Sequence, residues 1–230
     1  MVPERHRLVI DLARPLATRF EASGHRLYLV GGIVRDMFAD PSKVSGMTQD
    51  DVDLTTDASP EQILAAVQPV ADAVWTQGIR FGTVGCSIEG HRFEITTHRA
   101  ELYDAATRKP DVEFSVRIED DLSRRDFTVN AMALEVTSSE PQLIDPFAGL
   151  ADLAAQRLRT PSEPAVSFSD DPLRMMRAAR FIARFGLTPD PDLVTAVESM
   201  AGRLEIVSAE RIRDELCKLL VVPDPSAGLW

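Results

Sequence analysis

Leu27-Tyr28-Leu29-Val30-Gly31-Gly32-Ile33-Val34-Arg35-Asp36, followed after a polar stretch by Asp51-Val52-Asp53-Leu54-Thr55-Thr56, decides how this chain folds. Four apolar residues predict a short buried strand. It runs straight into two glycines and then a helix over Ile33–Phe38. Glycines placed there let a backbone approach a phosphate closely, and the start of the helix offers unpaired N–H donors and the positive end of a dipole. Arg35, in the first turn, is expected to hydrogen-bond the same anion. Asp51 and Asp53 are two apart on the next predicted strand, so both carboxylates belong to one face. Such a pair is costly without a cation, and Mg²⁺ favours hard oxygen ligands together with phosphate oxygens. Glu94, on a nearby predicted strand, is the candidate third carboxylate. In isolation the glycines read equally well as a plain turn and the aspartates as a solvated strand face. Their order along the chain favours nucleotidyl transfer, with metal ions activating a hydroxyl and neutralising pyrophosphate.

Working outward, a helix is expected from about Arg5 to Ala22, with Leu8, Leu12, Leu16 and Phe20 on one stripe. Asp40–Gln49 reads as a polar loop, and Ser59-Pro60 opens another helix. Strands are expected near Gly82–Ile88 and Arg92–Thr97 around a Glu89-Gly90 turn, and a polar, basic loop over Tyr103–Asp111. Helices are expected near Asp120 and Phe127. Beyond Asp145 only helical patterns occur, among them Pro172–Phe185 and Ser208–Leu220, the latter with Ile212, Leu216, Leu219 and Leu220 on one face. A mixed α/β domain at about 1–145 followed by an all-helical domain at 146–230 is therefore expected.

The 230 residues carry 25 Lys+Arg against 36 Asp+Glu, a net charge of −11, with 44% hydrophobic residues. That composition fits a folded chain with an ample core. It argues against an indiscriminate nucleic-acid coat but leaves room for a local basic cleft. No apolar run is long enough for a membrane span, and Met1–Arg7 lacks a signal peptide's apolar core, so a cytoplasmic location is expected. Cys86 and Cys217 form no metal-binding cluster and are expected reduced and partly buried. His6, His25, His91 and His98 lack ligand spacing. Trp75 and Trp230 carry no functional reading, and nothing signals an oligomeric state.

Two further stretches carry chemistry. Arg124-Arg125-Asp126-Phe127-Thr128-Val129-Asn130-Ala131-Met132 places adjacent arginines where a helix was expected to start, suited to a triphosphate or an RNA backbone, with Asp126 as its cap. In Asp170-Asp171-Pro172-Leu173-Arg174-Met175-Met176-Arg177-Ala178-Ala179-Arg180-Phe181, arginines 174, 177, 180 and 184 form one stripe with Asp171. The stripe reads either as a solvated ionic face or, from its excess of like charge, as an anion site. Asp171 accepts and Arg174 donates, so together they match the edges of C and A and mismatch those of G and U. A mismatch would leave buried polar groups unsatisfied, at ~1–3 kcal/mol each.

These motifs resemble the class II tRNA nucleotidyltransferases, the CCA-adding enzymes and bacterial poly(A) polymerases. Leu29–Asp36 with Asp51–Thr56 is similar to the family's first motif, Arg124–Met132 to its second, Asp145-Pro146-Phe147-Ala148-Gly149 to its hinge, Asp170–Phe181 to its protein template, and Ser208–Leu220 to its fifth. The resemblance implies a polymerase-β-like head, a mixed sheet flanked by helices, followed by a helical neck. It implies Mg²⁺ on Asp51 and Asp53, and nucleotide contacts from Gly32, Arg35, Arg125, Asp171, Arg174, Arg177 and Arg180. It also implies CTP and ATP as substrates, a tRNA 3′ end as acceptor, and a role for Tyr103–Asp111 in switching from C to A. Asp170 stands where the family often has glutamate, and Ala148 where it often has glycine. The family's body and tail domains lie outside this sequence, so a head-and-neck portion is expected. Poly(A) synthesis is the nearest alternative, but Arg80 is the one basic residue in Gln77–Gly82, where bacterial poly(A) polymerases are strongly basic. Addition of CC only or A only, and an inert nucleotide- or RNA-binding module, complete the readings; retention of both aspartates argues against the last.

Overall fold

A computed structural model describes residues 7–40, 51–102 and 111–229 of the chain. The polar loop expected from Asp40 (beyond that residue itself) and the loop over 103–110 lie outside the described residues. Helix α1 (Arg7–Ala22) precedes strand β1 (Leu27–Val30), which turns at Gly31 into α2 (Gly32–Phe38). Then come β2 (Asp51–Thr56), α3 (Pro60–Val67), β3 (Ala73–Trp75), β4 (Thr83–Ile88) and β5 (His91–Thr97). A hairpin of β6 (Arg99–Leu102) and β7 (Asp111–Phe114) leads to α4 (Ile118–Ser123), and β8 (Ala133–Glu135) and β9 (Gln142–Ile144) finish the first part.

The main sheet runs β3-β4-β5-β2-β1-β8-β9. It is mixed: β2 and β5 pair in parallel and the other neighbours antiparallel. The parallel pairing follows from α3, which carries the chain across the sheet between them. Ser59 caps α3 reciprocally with Gln62, and Pro60 occupies its first turn, as the sequence predicted. One face of the sheet packs under α1 and α3 around Phe20, Phe93, Leu29, Leu54 and Ile63. The face of α1 differs from expectation. Val9, Ala13, Leu16 and Phe20 are buried, whereas Leu8 is 51% exposed. The core claims positions 9, 13, 16 and 20, with Leu12 packed against its edge and Leu8 left outside.

The second part contains α5 (Gly149–Ala154), β10 (Arg157–Leu158), α6 (Pro164–Asp170), α7 (Leu173–Phe185), β11 (Thr188–Pro189), α8 (Pro191–Met200), α9 (Ala209–Leu220) and α10 (Ser226–Leu229). It is not wholly helical. β10 and β11 form a two-residue parallel bridge, too short for any hydrophobic period to announce. The helix expected near Phe127 does not form. Residues Thr128–Asn130 make a single 3₁₀ turn, and Phe127 and Val129 are buried in the core of the helical part against Phe168, Phe181 and Phe185. That segment is a plug from the first part into the second. Ala148 enters α5 with φ 58°, the left-handed region in which a non-glycine residue is strained. The expected apolar face of α9 is buried at Leu219, while Leu216 and Leu220 are 38% and 52% exposed.

Candidate active site

β2 and β5 bring the predicted carboxylates together. In their register Asp53 lies opposite Glu94, and both side chains are exposed on the sheet surface. Asp51 lies two residues earlier on β2, its Cα paired with Arg92. Hard carboxylate oxygens on adjacent strands suit magnesium, and two acidic groups set side by side repel unless a cation joins them. The donor set therefore fits the metal, although among the described residues no three such side chains converge. Asp53 and Glu94 share a cleft of about 290 Å³ with Arg99, Asp121, Arg124 and Arg125.

The turn after β1 positions that cleft. Gly31 has φ 73° and ψ −138°, a conformation only glycine adopts readily. A Cβ there would stand 3.2 Å from the Arg125 guanidinium, so the arginine reaches the turn because the side chain is missing. A Cβ on Gly32 would stand 3.3 Å from Arg35 Nη2. Asp121 aims Arg125, accepting from its Nη2 at 3.0 Å, and also faces Arg124 Nε at 3.7 Å. Burial alone would raise the Asp121 carboxyl; Arg125 and Arg124 outweigh it and hold the group below the usual carboxylate range. Asp121 and Arg99 carry no reading from the sequence; Arg124 does, as one of the adjacent arginines suited to a triphosphate.

A second cleft, about 300 Å³, is lined by Arg124, Arg125, Asp171, Arg174, Arg177 and Arg211 among others, so two arginines wall both clefts. Asp171 and Arg174 line it together; the Arg174 amide donates to the Asp171 carbonyl at 3.0 Å, while their side chains have other partners. Asp171 accepts from Arg211 Nη2 at 2.9 Å, and Arg174 donates to Ser167 Oγ at 2.8 Å and to the Arg124 carbonyl.

The other predicted arginines are also paired, Arg177 while lining this cleft. Arg177 donates to Asp126, 2.9 Å from its Nε, and Arg180 Nε donates to Glu215 at 2.7 Å. Two of the four arginines on this stripe, Arg177 and Arg180, are thus answered by acids from elsewhere in the chain. Burial would raise both Asp126 and Glu215, yet their arginine partners hold both below the usual range. Arg35 lies away from both clefts. It is 6% exposed, bonded to Asp36 and Asn130 at 2.7 Å each, with its guanidinium 4.3 Å from the Phe185 ring centre. Asp126 caps no helix; it accepts from Phe127 N and Asn130 Nδ2.

His98, buried behind β2, is structural. Thr55 Oγ1 donates to the Thr96 carbonyl at 2.9 Å and so accepts from His98 Nδ1, also at 2.9 Å. Burial holds the ring's pKa below its ordinary 6.5, against the opposing pull of Asp121 and Asp57. The unfolded chain therefore takes up this proton first, and stability is lost as pH falls below about 6.5 towards the folded value. The thermal midpoint is expected to decline over that window, with a shallower decline in His98→Gln. Equal slopes in the two proteins would contradict this assignment. Cys86 is buried, its thiol pushed up to about 11, whereas Cys217 is exposed, contrary to expectation.

Residues 27–159 match the family model described as the Poly A polymerase head domain, and residues 186–229 one described as a probable RNA and SrmB-binding site of polymerase A. The chain is 38% identical over 220 residues to the CCA-adding enzyme of Levilactobacillus brevis, covering 95% of itself and 52% of that protein. It is 39% identical over 210 residues to that of Leuconostoc citreum, covering 91% and 49%. The Bacillus stearothermophilus CCA-adding enzyme in complex with CTP superposes with a TM-score of 0.80 at 33% identity, over 96% of this chain and 50% of that one. The Thermotoga maritima CCA-adding enzyme complexed with tRNA superposes with a TM-score of 0.75 at 29% identity, over 96% and 49%. The chain spans about half the length of the curated relatives it matches. Among the described residues no helix is long and apolar enough to cross a membrane.

Proposed function

The chain belongs to the Poly A polymerase head-domain family, which includes the CCA-adding enzymes, and from that premise we propose that it is a magnesium-dependent nucleotidyltransferase adding C and A to a tRNA 3′ end from CTP and ATP. The observation that carries the proposal is the facing of Asp53 and Glu94 beside two clefts that share Arg124 and Arg125. Residues 1–145 serve as the catalytic head and 146–230 as the neck that selects the nucleotide.

The base enters the second cleft, where Asp171 offers an acceptor and Arg174 a donor. This orientation favours C and A because G and U would bring like groups into opposition. The triphosphate extends past Arg125 to the Gly31 turn, where guanidinium and backbone N–H groups match its charge. The α-phosphate then lies before Asp53 and Glu94, and the RNA 3′-hydroxyl attacks it as pyrophosphate departs. Asp51 and Asp53 would hold magnesium, which when bound supplies neutralisation of the leaving pyrophosphate and a lower pKa for the attacking hydroxyl. Arg177 lines the base cleft while pairing with Asp126, and Arg180 and Arg35 hold α7 and the junction in place through Glu215 and Asn130.

Incubation with Mg²⁺, labelled CTP and ATP, and a tRNA lacking its terminal nucleotides tests the reading. Addition of a few C and A residues is expected. Long tails from ATP alone on any RNA would make the protein a poly(A) polymerase, and nucleotide binding without incorporation would reduce it to a binding module.

A further inference from the structure

Ser167 lies on α6, just before the Asp170–Phe181 motif, and is fully buried. A serine there packs no better than an alanine, and its hydroxyl needs a partner once water is excluded. In a helix such a hydroxyl commonly turns back to the carbonyl one turn earlier. That of Ser167 instead meets Arg174 Nη1 at 2.8 Å. A guanidinium only donates, so Ser167 Oγ is the acceptor.

The backbone of Ser167 serves the other member of the base-reading pair. Its carbonyl accepts from the Asp171 amide at 3.2 Å, and from Arg174 Nη1 at a longer 3.4 Å. One buried residue thus touches both the acceptor and the donor that face the base, although it does not itself line their cleft. The acceptor has further restraints: Asp171 Oδ1 accepts from Leu173 N at 3.2 Å and Oδ2 from Arg211. On the donor, Nη2 reaches the Arg124 carbonyl. That contact alone would be a pivot. A second fixed point on Nη1 stops the planar guanidinium from swinging about it. Without Ser167 Oγ only the longer contact to the Ser167 carbonyl would oppose that swing. Rigidity matters here because a wrong base is rejected by leaving polar groups in conflict, and a donor free to move aside relieves the conflict.

We propose that Ser167 is a positioning residue for base selection, its hydroxyl locking the Arg174 guanidinium at a fixed spacing from Asp171. This rests on the base-reading role given above to Asp171 and Arg174, and names a residue behind the cleft that sets its selectivity.

The test titrates the full 230-residue chain with CTP, ATP, UTP and GTP by calorimetry and measures transfer in parallel. Thermal melts confirm that each variant folds. Ser167→Ala should lower the preference for CTP over UTP, and for ATP over GTP, by roughly 3- to 10-fold. Ser167→Cys, which keeps the volume with a weaker acceptor, should show the same loss in smaller measure. Because Ser167 acts through Arg174, the double substitution Ser167→Ala with Arg174→Ala should be no less selective than Arg174→Ala alone. An unchanged preference in both Ser167 variants, an equal loss of affinity for all four triphosphates, or a further loss of selectivity in the double substitution would each overturn the proposal. Equal binding of the four by the unaltered chain would overturn the base-reading role and the proposal with it. Selectivity in binding that Ser167→Ala diminishes, without transfer by either protein, would leave the proposal standing and remove the transferase reading.

Discussion

Asp53→Asn is expected to reduce nucleotide incorporation at least roughly 10³-fold, the loss that follows from several kcal/mol of forfeited charge stabilisation at the reacting phosphate. Stability should scarcely change, by no more than about 0.5 kcal/mol, because the side chain is exposed and the β2–β5 ladder is made by backbone groups. The substitution even removes one of two facing acids. CTP binding should survive, since Asp53 does not line the cleft of Asp171 and Arg174. Single-turnover incorporation, thermal melts and CTP titration check the three parts. An activity loss accompanied by a large drop in the melting midpoint would make Asp53 a structural residue, and retained activity would remove it from the chemistry.

The residues that frame this prediction were readable because their signals are local. A strand, two glycines and a helix in succession announce the Gly31 turn. Asp51 and Asp53 two apart on a strand announce a common face. The position of Glu94 needed only the expectation that its strand lies close by, and the parallel register sets it opposite Asp53. The arginines of α7 show where local reading fails. Their spacing gives the stripe correctly, but the partners of Arg177 and Arg180 are Asp126 and Glu215, 51 and 35 residues away. No period encodes such pairings, so an excess of charge on the helix looked unanswered when the fold answers it. The surroundings of Arg35 are equally illegible from its local position. Its position in the first turn of α2 suggested an anion, but Asn130 and Phe185, both distant in sequence, draw it into the junction. A helix is expected near Phe127, with Asp126 as its cap. Burial against the core around Phe181 fixes Phe127 instead in a short turn.

The pairing of Arg177 leads to the other large expected effect: Asp126→Ala should destabilise the protein by ~3–5 kcal/mol, lowering the melting midpoint by roughly 6–20 °C for a chain of this size. Asp126 is 8% exposed and accepts from Phe127 N at 2.8 Å, Asn130 Nδ2 at 2.9 Å and Arg177 Nε at 2.9 Å. Asn130 accepts in turn from Arg35 of α2 at 2.7 Å, while Arg177 continues to Glu215 of α9 at 3.7 Å, and Glu215 to Arg180. Polar contacts therefore run without a break from the glycine turn to the far helices, and Asp126 is one of the links between the two parts of the chain, beside Arg174 on the Arg124 carbonyl and Thr128 on Asp152. Its removal leaves the partly exposed Arg177 guanidinium with Glu215 alone and deprives the Phe127 amide and Asn130 Nδ2 of their acceptor, which costs more than the net value of the pair. Asp126→Ala and Arg177→Ala should accordingly be non-additive, with the double substitution less destabilised than the sum by more than about 1 kcal/mol. The cost of Asp126→Ala should also shrink on acidification, because the carboxylate's stabilisation exists above the unfolded carboxyl pKa and is lost as pH falls through its depressed folded value. Urea titrations of the four proteins at neutral and acidic pH measure both effects. Simple additivity, or a neutral-pH cost below about 1 kcal/mol, would mean that apolar packing around Phe127 and Phe181 joins the two parts without this network.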